Sequence, residues 1–160
     1  MRRPLSLALT LPFLLAACSS EAASSEDPAL AAMQAQAAGD HTAAVGHFDQ
    51  ALATQDKASQ DYMILACKRL ESLAHTSASQ VGTELESLEG LTPGQYGDIA
   101  SALLAASEFE EAAKTVKLGR TRLPEDPDMQ QIETDIVAKV NSLGGDEGAA
   151  ALKGLGYLGD

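Results

Sequence analysis

Residues 39–52, GDHTAAVGHFDQAL, gather two histidines and two aspartates, the side chains that ligate zinc or move protons. Spacing decides whether they can act together. On a helix, His41 and His47 point about 120° apart, while Asp40 and His47 share a face but are separated by a rise of about 10 Å. Zinc holds its ligands within roughly 2.0–2.3 Å of one point, so this stretch cannot form a site by itself, and His75 is the only other histidine. The pattern predicts something else: Asp40 as a helix cap, Ala44, Phe48 and Ala51 as a packing stripe, and His41, His47 and Asp49 largely outside it.

Other chemistry is equally sparse. HExxH, paired CxxC, GxSxG and a phosphate-cradling glycine loop are all absent from the sequence. Cys67, followed by Lys68 and Arg69, reads as a small buried or groove-lining hydrophobe. No catalytic residue, metal or cofactor is expected, and the chain is not expected to be an enzyme.

The 160 residues include three Phe, three Tyr and no Trp, so a core must be built mainly from Ala and Leu, the side chains of closely packed helices. This predicts an all-α fold. The formal charge of −12 disfavours nucleic acid and anionic lipid, both of which are bound through Lys and Arg.

The N-terminus begins MRRPLSLALTLPFLLAAC, with Arg2 and Arg3 before a mostly apolar run over 5–17. That run is short for a spanning helix and fits a signal peptide over 1–17. Its end, Leu15-Ala16-Ala17-Cys18, resembles the lipobox of bacterial lipoproteins. The resemblance implies cleavage before Cys18 and acylation there, with several chains giving stable membrane anchoring. Losing Arg2 and Arg3, and no carboxylate, takes the charge from −12 to −14. Ser19, where a retention signal in the family would carry Asp, implies an outer-membrane location facing the periplasm. Small polar residues over 18–27 form a tether.

The rest of the chain repeats. Ala44, Ala78 and Ala112 are spaced by 34, as are Pro28, Tyr62 and Tyr96, then Ala31, Leu65 and Ile99, then Ala32, Ala66 and Ala100. The units are 25–58, 59–92 and 93–126. This period resembles the tetratricopeptide repeat, a helix-turn-helix unit, with Tyr62, Leu65 and Ala66 matching in the second unit and Tyr96, Ile99, Ala100 and Pro124 in the third. Gly39, Asp40, Ala44, Phe48 and Ala51 carry the second-helix signature of the first unit, partly repeated by Ser107, Ala112 and Val116. Three positions depart from the pattern: Pro28 replaces an aromatic, Gly82 a large residue and Gly119 an alanine. Repeats over 28–126 are then followed by an amphipathic stretch, 127–143, expected to cap a short solenoid. Gly144-Gly145 is expected to end the ordered domain, leaving a Gly-rich tail over 144–160 that contains LGYL.

The resemblance implies a groove lined by the first helices and occupied by a protein or peptide partner. Carried onto this sequence, the groove presents Met33 and Gln36, then Met63, Cys67, Leu70 and Glu71, then Ser101 and Leu104. Apolar stripes at helical spacing also face inward, so Met63 and Leu70 have core packing as their alternative. None of these positions supplies the Lys, Arg and Asn of the family's carboxylate clamp. The expected function is a lipid-anchored adaptor in an envelope assembly, with self-association as a variant. A spacer or surface protein acting through its convex face or tail is the rival.

Overall fold

The computed structural model describes residues 27–158, and among these the chain forms eight helices and no strand. The leader, Cys18 and the tether as far as residue 26 lie outside the described residues. No helix among those described is long and apolar enough to cross a membrane.

Helices α1 (Pro28–Ala37) and α2 (His41–Leu52) form the first hairpin. Then follow α3 (Gln60–Ala74) with α4 (Ala78–Ser87), α5 (Pro93–Ala105) with α6 (Phe109–Arg122), and α7 (Pro127–Leu143) with α8 (Gly145–Gly154). Local chemistry sets these starts. Proline, which needs no intrahelical N–H partner in the first turn, opens α1, α5 and α7. Side chains of Asp27, Asp40, Ser59 and Asp126 accept from the first-turn amides that follow them, and Thr92 and Gln95 form a reciprocal capping box. Pro28 thus has a use of its own where the repeat pattern would place an aromatic.

Five described residues are left-handed: Gly90, Gly145, Gly156 and the two that follow. Gly39 has φ 78° between α1 and α2, and Ser107 has φ 65° between α5 and α6. Glycine adopts this conformation freely, whereas serine there costs about 1 kcal/mol.

The helices pack in two rows. α3, α5 and α7 lie side by side, α4, α6 and α8 form the second row, and α2 joins the first hairpin to α3. Most of the core lies between the rows, around Leu70, Leu85, Tyr96, Ile99, Leu103, Val116, Met129 and Val140. A separate small cluster, Ala32, Ala44, Phe48, Ala51 and Leu65, holds the first hairpin to α3. Full burial of Phe48 in that cluster contributes roughly 1.5–3 kcal/mol.

The C-terminal segment corrects the expected end of the domain. Gly144-Gly145 is a tight turn into α8, and the tail folds back onto α6 and α7. A Cβ on Gly144 would sit 2.7 Å from the Val140 carbonyl oxygen, and one on Gly148 would collide with that same oxygen, so both glycines permit close approach of α8 to α7. Leu152 is fully buried, Lys117 Nζ donates to Leu155 O at 2.7 Å, and Tyr157 OH donates to Glu133 at 2.6 Å. Burial, and then the hydrogen bond to Glu133, push the Tyr157 phenol well above its ordinary range.

Candidate functional site

The histidine–aspartate stretch disperses its polar groups into different contacts. Asp40 accepts from the Ala43 amide at 3.0 Å as the α2 cap. Asp49 accepts from Arg69 Nε at 2.5 Å, and Arg69 Nη1 also donates to Glu84, so one guanidinium ties α2, α3 and α4 together. This triad edges an open cavity of ≈ 320 Å³ with Leu52, Tyr62, Ala66 and Leu88 on its walls. With both carboxylates engaged by Arg69, the cavity offers packing space rather than a reactive pair.

His41 does meet a partner. Its ring stacks on His75 with centroids 4.0 Å apart and planes inclined by 13°. Burial, then the neighbouring His41, holds the His75 pKa below its ordinary 6.5. The two residues are 34 apart, so the repeat period itself was the signal that could have paired them. Parallel rings do not direct their nitrogens at a common point, and no group of three metal-ligating side chains occurs among the described residues.

The residues expected to line a groove divide by burial. Met33 and Ser101 are exposed, and Gln36 is half-buried with its Nε2 donating to Lys68 O at 3.2 Å, across from α1 to α3. Glu71 is half-buried and paired with Lys68 Nζ at 2.7 Å. Met63 and Leu104 lie half-buried against the main core. Cys67 and Leu70, by contrast, are 4% and 1% exposed and belong to that core. The offset has a simple helical cause: Met63, Cys67, Leu70 and Ala74 turn into the main core, and the outward stripe of α3 runs one residue later through Ile64, Lys68, Glu71 and His75.

Burial also decides the chemistry of Cys67. Removal from water, and then the charge of Glu71, raises its thiol pKa from 9.0 to about 11, against the smaller opposing effect of Lys68. Folded protein is therefore expected to resist iodoacetamide at neutral pH and to label at Cys67 only in denaturant, as read by mass spectrometry. Rapid labelling of the folded chain would place the thiol outside the core.

Five large hydrophobics are exposed among the described residues, including Leu143 at 65% and Leu158 at 37% near the C-terminal end. Leu30, Met33 and Ile64 are 51%, 44% and 41% exposed, although the described chain buries most of its other large hydrophobics. Leu30 and Ile64 are 34 apart, and the next position in that register is the exposed Asp98. α1 and α3 each run antiparallel to α2 and hence parallel to each other. Met33 and Ile64 each lie about one turn before the Gln36–Lys68 hydrogen bond and so flank the same junction. Ile64 was missed from sequence because it interrupts, rather than joins, the strongest apolar stripe of α3. Compared with known proteins, the chain matches no family model, no curated protein and no solved structure.

Proposed function

We propose that this chain is a lipid-anchored, extracytoplasmic, noncatalytic adaptor, a short tetratricopeptide-like solenoid that holds a protein or peptide partner on its first-helix face. The observation that carries the proposal is the exposed trio Leu30, Met33 and Ile64, on first helices α1 and α3 that the Gln36–Lys68 hydrogen bond bridges, and partly in repeat register. Exposed apolar side chains grouped on one face mark interaction surfaces more often than isolated ones do. Support for the solenoid comes from the 34-residue spacing together with the two rows of helices. Support for the anchor comes from the charged, apolar and small-residue order ending at Cys18, and an outer-membrane position facing the periplasm follows from Ser19. Docking of residues 155–157 onto α6 and α7 weighs against a free tail as the working surface.

The groove has a direct test. Met33→Glu with Ile64→Glu places two carboxylates where apolar contact is proposed, while both parent side chains are exposed enough for the fold to tolerate the change. Partner co-isolated from the native envelope after crosslinking is expected to fall about tenfold or more, with helicity by circular dichroism unchanged. Leu143→Glu, at a 65%-exposed position near the end of α7, is expected to leave capture intact. Loss of capture through Leu143 alone would move the working surface to the C-terminal end.

A further inference from the structure

The character of the exposed stripe changes along the repeat. α1 carries no charged residue, and its outer face offers Leu30 and Met33. α3 adds Ile64 beside the internally paired Lys68 and Glu71. At the equivalent place on α5 stands Asp98, exposed and in no ion pair among the described residues. Asp98 and Glu71 both bear electrostatically on Cys67, which places them on the same α3–α5 seam. Asp61, also exposed, adds a second carboxylate at the start of α3.

Resting on the adaptor reading, we propose that the occupant is a cationic amphipathic helical segment of a partner protein, with apolar side chains over Met33 and Ile64 and a Lys or Arg reaching Asp98. The spacing is workable. Adjacent packed helices lie about 8–10 Å apart, so moving from Ile64 to Asp98 corresponds to roughly two turns of a helix laid across the stripe. An apolar side chain at i over Ile64 and a base near i+7 at Asp98 match this step, with a further apolar side chain before i reaching toward Met33. Charge selects this occupant over a second copy, because two chains of −12, or −14 without the leader, repel each other, and over an anionic segment or anionic lipid for the same reason.

The test uses the full chain and three labelled helical peptides followed by fluorescence anisotropy. One has a leucine face flanked by lysines, the second has the same leucines flanked by glutamates, and the third keeps the lysines but replaces leucine with glutamine. The lysine–leucine peptide is expected to bind at least about tenfold more tightly than either of the others. Ile64→Gln is expected to weaken it by about tenfold, and Asp98→Asn to weaken it and shrink its preference over the glutamate peptide. Circular dichroism of both variants, altered only at exposed side chains, checks that they are folded. Equal or tighter binding of the glutamate peptide, still lost with Ile64→Gln, would overturn the cationic assignment and leave the groove standing. Binding of both lysine peptides alike, indifferent to Ile64→Gln, would reduce the effect to general attraction by an acidic chain and overturn the proposal. Failure of both leucine-faced peptides to bind would overturn it as well. So would Ile64-dependent binding to phosphatidylcholine vesicles in place of peptide, by making the patch a membrane contact.

Discussion

Gly119→Val is expected to lower the unfolding free energy by about 3 kcal/mol, read as a fall in the urea midpoint at unchanged slope. Gly119 is buried in α6 where that helix presses on α5 and α7. A Cβ there would lie 2.7 Å from Met129 Sδ and 2.9 Å from Tyr96 Cγ. The methionine sulfur can rotate away, but Tyr96 is 1% exposed and its hydroxyl accepts from Arg122, so its ring has little room to yield. Overpacking of this kind typically costs 1–3 kcal/mol, and β-branching places valine at the upper end. Gly46 supplies the contrast, because it is mid-helix in α2 with no neighbour within 4 Å of an added Cβ. Gly46→Ala is expected to gain up to about 1 kcal/mol from helix propensity. Equal responses at the two glycines would mean that α6 does not approach Tyr96 and Met129 this closely.

Arg122→Met is expected to cost about 2 kcal/mol and to loosen α4 in particular. Its Nη1 donates to Leu88 O at 2.6 Å and Leu85 O at 3.3 Å, and its Nη2 to Glu86 O at 2.7 Å. These carbonyls belong to the last turn of α4 and the residue beyond it, where intrahelical donors run out. α4 needs the help: it is ten residues long, begins without a side-chain cap at Ser77, and carries Gly82 where the repeat would place a large residue. Methionine preserves most of the apolar stem but donates nothing, so hydrogen exchange should accelerate over Ala78–Ser87 before it does so in α5. Arg122→Lys is not expected to rescue the loss, because one ammonium cannot reproduce the guanidinium's fork across several carbonyls. Uniform exchange changes across all helices would contradict the local role.

Helical class was legible because it rests on local terms: an Ala- and Leu-rich composition, prolines in first turns, and capping residues such as Asp40 and Ser59. Less legible were contacts between distant residues. Arg122 looks like an ordinary base at a helix end until α4 is seen to finish beside it. Gly119 reads as a departure from the repeat, yet it is what admits Tyr96 and Met129. On α3 the hydrophobic period gave the helix but misplaced its outward face by one residue, since Met63, Cys67 and Leu70 are apolar because they pack into the main core. Gly144-Gly145 reads as a stop from local conformational preference alone, whereas close contact of Gly148 with Val140 turns it into a corner.

On the proposed function, the first-helix face rather than the second row of helices receives the partner. A photo-crosslinking side chain placed at Ile64, compared with one at exposed Gln80 on α4, tests it in the native envelope. Adducts to one and the same partner from Ile64, with none from Gln80, are the predicted result. Adducts from Gln80 with none from Ile64 would contradict the account.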